Sequence, residues 1–277
     1  MALYLGSDKV TEIINNPRID ISKIQNFSYF FLNSRLLDQV DFSQFNTIKC
    51  NNVVSMFNGC ASLKSVPQLD TSKATDFSYM FNGCRVLQSV PQFDTSSGTD
   101  FSYMFNGCRA LQSVPQFDMS KATNVSYMFF QCNIGLKSVP QLNTSKAANF
   151  SYMFSQCTNL TSISQLDISN GTNFNSTFSS CGSLQSISLT KSKSDFVTST
   201  FNGCYALTNI IIGEGWNTSI YLHYSNRLTQ ECLHKMIENL ADLTGQTAKI
   251  FRIGTTNIAK IDEEHITMLQ SKNWNYS

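Results

Sequence analysis

Cysteine recurs along most of this 277-residue chain at a nearly constant interval. The repeated positions are 60, 84, 108, 132, 157, 181 and 204, so the intervals are 24, 24, 24, 25, 24 and 23 residues. A fixed period of this size is typical of repeat proteins, in which one copy cannot bury its apolar face alone and stacks on its neighbours. The spacing therefore predicts an array of stacked copies rather than one or two ordinary globular domains.

Each cysteine belongs to a longer repeated pattern. Around Cys84, Phe81 stands three residues before, Leu87 three residues after and Val90 six residues after. The other copies have the same types or Ile for Val, except that one inserted residue after Cys132 shifts Leu136 and Val139 by one position. An earlier, degenerate copy carries Ser34 in place of the cysteine. We therefore expect about eight stacked coils.

Within one coil the residue spacing predicts a short strand, a turn and a short helix or 3₁₀ segment. Four apolar residues at offsets 0, 3, 4 and 7 would share one helical face: Phe77, Met80, Phe81 and Cys84. The segment 87–90 is predicted to form a very short strand, because Pro91 limits further pairing. Asp94, followed by Thr and Ser, predicts a turn in which the carboxylate accepts backbone N–H groups.

The pattern changes after residue 212. Alternating residues predict a strand over 220–224, and Thr229 is placed to cap a helix. A second strand is predicted over 250–253, and Asp262 opens a second helix. We therefore expect residues 27–212 to form the array, residues 213–277 an α/β cap on its last coil, and residues 1–26 an N-terminal cap or attachment segment.

The repeat unit resembles that of BspA-like leucine-rich-repeat proteins. It reads Met-Phe-Asn-Gly-Cys-x-x-Leu-x-Ser-Val-Pro-x-[Leu/Phe]-Asp-Thr-Ser, although the usual Leu-x-x-Leu-x-Leu-x-x-Asn core is absent. The resemblance covers residues 27–212, and the segments 239–246 and 254–261 resemble a closing segment found in such proteins of gut bacteria and their phages. It implies an α/β fold, a leucine-rich-repeat-type solenoid, that binds host or partner surfaces on a bacterial cell or a phage virion. No signal peptide is visible at the start.

Stacking converts each repeat position into a column, and two columns are candidate binding surfaces. The first consists of Tyr79, Tyr103, Tyr127 and Tyr152. On a helical segment these rings would point outward, where a tyrosine offers a large contact area to a sugar or a protein at low entropic cost. The alternative is that the rings pack on one another and shield the surface.

The second candidate is a polar column on the strand face. It contains Lys64, Gln88, Gln112 and Lys137. Such a column could present hydrogen-bonding groups to a glycan or a protein. The alternative is that these side chains merely solvate an exposed sheet.

The sequence predicts neither a metal site nor a cofactor. Paired cysteine spacings such as Cys-x₂-Cys, which structural zinc requires, are missing, so we expect the cysteines to be buried apolar side chains. A column of acidic residues could attract Ca²⁺, but each residue already has a turn to stabilise, and we expect no cation there: Asp70, Asp94, Asp118 and Asp167.

No recognisable catalytic motif or phosphate-binding glycine loop surrounds the three histidines, His223, His234 and His265, so we expect no enzymatic activity. The formal net charge of +1 disfavours nucleic acid as a partner, and no apolar run is long enough for membrane insertion. We expect a non-enzymatic adhesion or host-recognition module that binds a glycan or protein through repeated weak contacts. The alternatives are a structural phage-tail or virion protein with a protein partner, and an intracellular scaffold.

Overall fold

The chain folds into a row of neighbouring repeats followed by a C-terminal unit. A computed structural model describes residues 24–39 and 50–277, so most of the predicted N-terminal segment, residues 1–23, lies outside the described residues. The repeats contain a parallel sheet in the order β1-β2-β3-β4. Its strands are β1 Ser138–Val139, β2 Ser162–Leu166, β3 Ser186–Leu189 and β4 Asn209–Ile212.

The C-terminal unit has a second parallel sheet, in the order β5-β6-β7, and helices beside it. Its strands are β5 Ile220–Tyr221, β6 Lys249–Arg252 and β7 Trp274–Tyr276. Its helices are α1 Gln230–Asn239, α2 Thr255–Ile258 and α3 Glu263–Ser271. The sequence predicted β5, β6, α1 and α3, with β5 too long, and missed α2 and β7.

Backbone hydrogen bonds join equivalent positions of neighbouring repeats. The Tyr79 N–H donates to the Ser102 carbonyl at 2.9 Å, and the Tyr103 N–H donates to the Ser126 carbonyl at 3.0 Å. Buried side chains follow the same register as the backbone. The ring of Phe105 stacks on the equivalent phenylalanine of each adjoining repeat, with ring centroids 5.5 and 5.7 Å apart. Residues one period apart are therefore neighbours in space.

The helix predicted within each repeat is wrong, although its apolar face is buried as expected. Over residues 77–84 the chain makes consecutive turns, and the φ angle is positive at Tyr79 (58°) and Gly83 (75°). The N–H of Met80 donates back to Phe77 at 3.3 Å, whereas the N–H of Phe81 donates to the next repeat. Because alternate N–H groups bond outside the segment, the 3–4–7 spacing here marks buried turns and not a helix.

Proline decides which repeats form a strand. The residue after the repeated Val is proline in four repeats, at Pro67, Pro91, Pro115 and Pro140. In the described chain, the first three of these repeats have no strand and the fourth has only the two residues of β1. In the following repeats Ser164, Ser188 and Ile211 supply an N–H, and the strands are four or five residues long. Since proline cannot donate to a ladder, the predicted strand over 87–90 is absent.

The repeated cysteines are buried and unpaired, which confirms their predicted place in the core. Each thiol of the array also donates to a phenylalanine carbonyl in the preceding repeat, as Cys84 does to Phe57 at 3.2 Å and Cys108 to Phe81 at 3.0 Å. Burial raises the pKa of Cys157 to about 12. The thiols are therefore protonated donors, and they join one repeat to the next.

Specific end contacts fix the helices of the C-terminal unit. The two predicted caps are confirmed, because Thr229 Oγ1 accepts the Cys232 N–H at 3.1 Å and Asp262 Oδ1 accepts the His265 N–H at 3.0 Å. At the other end of α1, Lys272 Nζ donates to three carbonyl oxygens at 2.8–3.2 Å. A lysine there also complements the negative end of the helix dipole.

Candidate functional site

The tyrosine column is a stack of half-buried rings. Ring centroids of successive members, from Tyr79 to Tyr152, are 4.4, 4.4 and 4.5 Å apart, and the ring planes are nearly parallel. Desolvation, followed by the neighbouring tyrosines, raises the pKa of Tyr103 and Tyr127. The faces of these two central rings are covered by other tyrosines, so the column offers a ligand ring edges and hydroxyl groups rather than open faces.

The predicted polar column lies on the surface and is exposed along its length. Its members are Lys64, Gln88, Gln112 and Lys137. The Gln112 N–H donates to the Gln88 carbonyl at 2.8 Å, which aligns these two side chains on adjoining repeats. Lys64 is paired with Asp38 at 3.4 Å.

A shallow groove begins four residues further along each repeat. It is lined chiefly by glutamines and acidic residues, among them Gln92, Asp94, Gln116 and Asp118, and has a volume of about 670 Å³. A second stretch of about 390 Å³ continues it from Gln116 towards later repeats. From sequence, the acidic residues were expected to stabilise turns and to bind no cation, and the glutamines were not predicted as site residues. Their recurrence two residues before each acidic residue was the available signal.

The glutamines of the groove are ordered by contacts between repeats. Gln68 Nε2 donates to the Gln92 carbonyl at 2.8 Å, and Gln92 Nε2 donates to the Gln116 carbonyl at 2.9 Å. Gln116 Nε2 donates in the same way to the Gln141 carbonyl. Because the amide nitrogens are used in this manner, the side-chain oxygens are left as a row of acceptors for a ligand.

The acidic residues of the groove are held by the turns that the sequence predicted. Asp94 Oδ1 accepts the Ser96 N–H at 3.0 Å and the Ser96 hydroxyl at 2.7 Å. These hydrogen bonds lower the pKa of Asp94, and hydrogen bonds from Ser120 lower that of Asp118. Asn143 makes the same turn with Ser145. A carboxylate has about four acceptor positions, so these exposed, ionised groups can accept further donors.

The C-terminal unit brings together two of the three histidines. The rings of His234 on α1 and His265 on α3 stack at 3.7 Å with an angle of 12°. Asp262 Oδ1 is 2.6 Å from His265 Nδ1, and Asp262 Oδ2 is 3.5 Å from His234 Nε2. Glu238 Oε1 lies 3.8 Å from His265 Nε2. The cluster was not predicted from sequence, because the spacing of residues does not show which helix faces meet.

A family described as "Mycoplasma protein of unknown function, DUF285" matches this chain in three overlapping stretches, residues 4–114, 63–162 and 108–216. The chain belongs to the DUF285 family. The overlapping matches agree with the repeated pattern of the sequence, and together they extend over most of the DUF285 chain. A search of curated proteins found no match. In the described part of the chain, no helix is long and apolar enough to cross a membrane.

Proposed function

We propose that this protein is a non-enzymatic adhesion or recognition module whose groove binds an extended, uncharged or basic glycan. The observation that carries the proposal is the pair of acceptor rows in the groove, one of glutamine oxygens and one of carboxylates. Sugar hydroxyl or amino groups donate hydrogen bonds to such oxygens. The carboxylates also repel anionic sugars, which narrows the class of ligand.

The spacing of the repeats supports a glycan over an extended peptide. Neighbouring strands of a sheet lie about 4.8 Å apart, which is close to the length of one hexose in an extended glycan. A peptide strand advances about 3.3 Å per residue, so its groups would fall out of step with the repeats. A polymer in step with the protein can make the same weak contacts several times, and linked contacts reinforce one another.

The near identity of two central repeats supports a periodic ligand. Residues 76–94 and 100–118 differ only at Val86 and Ala110. Gln92 and Gln116, like Asp94 and Asp118, therefore present the same chemistry twice along the groove. In this proposal the repeats form a BspA-like leucine-rich-repeat solenoid of about eight coils, and the groove follows its length.

A glycan array with the full-length protein tests the proposal, followed by affinity measurements on the best uncharged or amino-sugar oligosaccharide. The double variant Gln92→Ala/Gln116→Ala removes two acceptors from the groove. At about 0.5–1.5 kcal/mol for each hydrogen bond, we expect binding to weaken by about fivefold or more. The matched control is Gln88→Ala/Gln112→Ala, which changes the same residue type in the same repeats, four residues earlier, and should bind as wild type.

The two variants also separate the candidate surfaces. Loss of binding in the control pair alone would place the ligand on the predicted polar column and contradict the groove. If both pairs bind as wild type, Tyr103→Phe/Tyr127→Phe tests the tyrosine hydroxyls while it keeps the stacked rings. A wild-type protein that binds no glycan on the array would contradict glycan recognition.

A further inference from the structure

We propose that His234, Glu238, Asp262 and His265 form a binding site for a divalent transition-metal ion of the zinc type, which would link helix α1 to helix α3. The site is in the C-terminal unit, and it is independent of the groove and of its ligand. It also differs from the expectation from sequence, in which the histidines were isolated and no metal was predicted.

The donor set fits zinc better than it fits calcium or magnesium. Two imidazole rings and the Asp262 carboxylate supply nitrogen and oxygen ligands, which are the common ligands of Zn²⁺ together with thiolates, and the Glu238 carboxylate lies beside the His265 ring. Imidazole suits Zn²⁺, Co²⁺ and Ni²⁺, whereas Ca²⁺ and Mg²⁺ select sites made of oxygen alone. Carboxylates have an ordinary pKa of about 4, so at neutral pH they carry the negative charge that attracts a divalent ion.

The positions on the two helices converge on one point. His234 and Glu238 are four residues apart on α1 and so share a face of that helix. Asp262 and His265 are the N-cap and third residue of α3. One ligand atom from each of His234, Asp262 and His265 lies within 4.8 Å of the others. Ligand atoms on a tetrahedral zinc ion lie about 3.3–3.6 Å apart, given bonds of about 2.0–2.2 Å.

Side-chain rotation can bring the ligand atoms to the shorter separation that a zinc ion requires. The carboxylates of Asp262 and Glu238 are 46% and 42% exposed, so neither is locked by packing. The two imidazole rings are nearly parallel, and one of them must turn for both nitrogens to face the same ion. Asp262 Oδ1 remains the helix cap, because Oδ2 is the oxygen nearer to His234.

A buried nitrogen that makes no hydrogen bond also points to a ligand, and its nearest charged neighbour is Asp262 Oδ2 at 3.5 Å. His234 Nε2 is inaccessible to solvent and makes no hydrogen bond within the described residues. Buried polar atoms almost always have a partner, and an exception calls for an explanation such as an ion. His265 Nδ1 lies 2.6 Å from Asp262 Oδ1, so Nδ1 is the nitrogen that faces the proposed ion beside Asp262. The other nitrogen of that ring, Nε2, lies 3.8 Å from Glu238 Oε1, and a carboxylate near the second nitrogen of a ligand histidine is a common feature of metal sites.

Calorimetric titration of the full-length protein with ZnCl₂, after treatment with a chelator, tests this site. We expect one high-affinity ion per chain and a higher unfolding temperature with Zn²⁺ than with EDTA. The double variant His234→Ala/His265→Ala should weaken binding by more than about tenfold. His223→Ala is the matched control, because it removes the histidine outside the cluster and should leave zinc affinity unchanged.

Cobalt distinguishes this site from the nine cysteines. Co²⁺ held by histidine and carboxylate shows d–d absorption without the strong near-ultraviolet charge-transfer band that thiolate ligands produce. If the double histidine variant does not fold, Glu238→Gln is the second variant, and it should weaken Zn²⁺ binding because it removes the negative charge beside the ligand His265. A wild-type protein that binds no zinc, a thiolate spectrum with Co²⁺, or unchanged binding in the folded double variant would each overturn the proposal.

Discussion

The repeats and the C-terminal unit bury their apolar residues in different ways. In the repeats a residue packs on its own counterpart one period away, as in the phenylalanine stack through Phe81, Phe105 and Phe129. In the C-terminal unit, α1 packs against β4 and α3, so each buried residue meets different types. A substitution in the array should therefore disturb the packing of both adjoining repeats. A substitution in the C-terminal unit should disturb a contact that occurs only once.

The largest expected effect comes from a break in the phenylalanine stack. Phe105→Ala empties a fully buried position between two rings, and we expect the free energy of unfolding to fall by about 3–5 kcal/mol. Urea denaturation measures the loss. Amide hydrogen exchange should show reduced protection in the repeats on both sides of residue 105, with smaller changes in α1, because stacked repeats interact mainly with their neighbours.

Two controls sharpen this comparison. Leu233→Ala removes a buried side chain of α1; it should destabilise the protein by about 2–5 kcal/mol and reduce protection first in the C-terminal unit. Val86→Ala changes an exposed residue of the array and should alter stability by less than about 0.5 kcal/mol. If Phe105→Ala were as mild as Val86→Ala, the stack would not be a source of stability.

A smaller effect concerns the acidic turns of the array, and it depends on pH. The pKa values of Asp94 and Asp118 are lowered in the folded protein. The stability that they contribute is therefore present above the unfolded pKa of about 3.9 and is lost as the pH falls through the folded values. In Asp94→Asn/Asp118→Asn, we expect the urea midpoint to fall less steeply than in wild type below about pH 4.

At neutral pH we expect the stability of that variant to change little, because the equivalent position of another repeat already carries an asparagine, Asn143. It makes the same hydrogen bond to a serine N–H as the aspartates do, so asparagine should preserve the turn. Asp242→Asn is the comparison in the C-terminal unit, where the hydroxyl and N–H of Thr244 lower the pKa of one exposed aspartate, and we expect a change of the same sign but smaller, because only one turn is altered. Equal acid profiles for wild type and the double variant would contradict a role for the two turns in acid stability.

The smallest expected effect concerns the strands within the array. Pro140→Ser restores an N–H at the end of β1, and we expect β1 to lengthen along β2. The added hydrogen bond contributes about 0.5–1.5 kcal/mol, and the loss of proline rigidity costs about 0.4–1 kcal/mol, so the net change should be small. Slow hydrogen exchange at the new residue 140 amide measures the longer strand.

The control for that strand is Pro91→Ser. Both adjoining repeats carry proline at the equivalent position, Pro67 and Pro115, so a ladder beside residue 91 still lacks donors. Its new amide should exchange faster than that of Pro140→Ser. Similar exchange rates at the two sites would show that proline does not limit strand length here.

Local chemistry made several features predictable from sequence. A threonine or aspartate at a helix start satisfies free N–H groups of that helix itself, which is why Thr229 and Asp262 were identified as caps. The aspartate turns involve residues two apart, so Asp94 and Ser96 suffice to define one. The turns over residues 77–84 were mistaken for a helix, because both bury offsets 0, 3, 4 and 7. Only the positive φ at Tyr79 and the bonds to the next repeat distinguish them.

The sequence by itself determined the period, the buried columns and the starts of the main helices, because each depends on residues close together or on the repetition of one residue type. The tertiary structure alone decided which distant side chains meet. It placed the glutamine and acidic columns along one groove and brought His234 on α1 beside His265 on α3. Such meetings depend on the angle and register at which elements pack, and residue types within either element do not specify them.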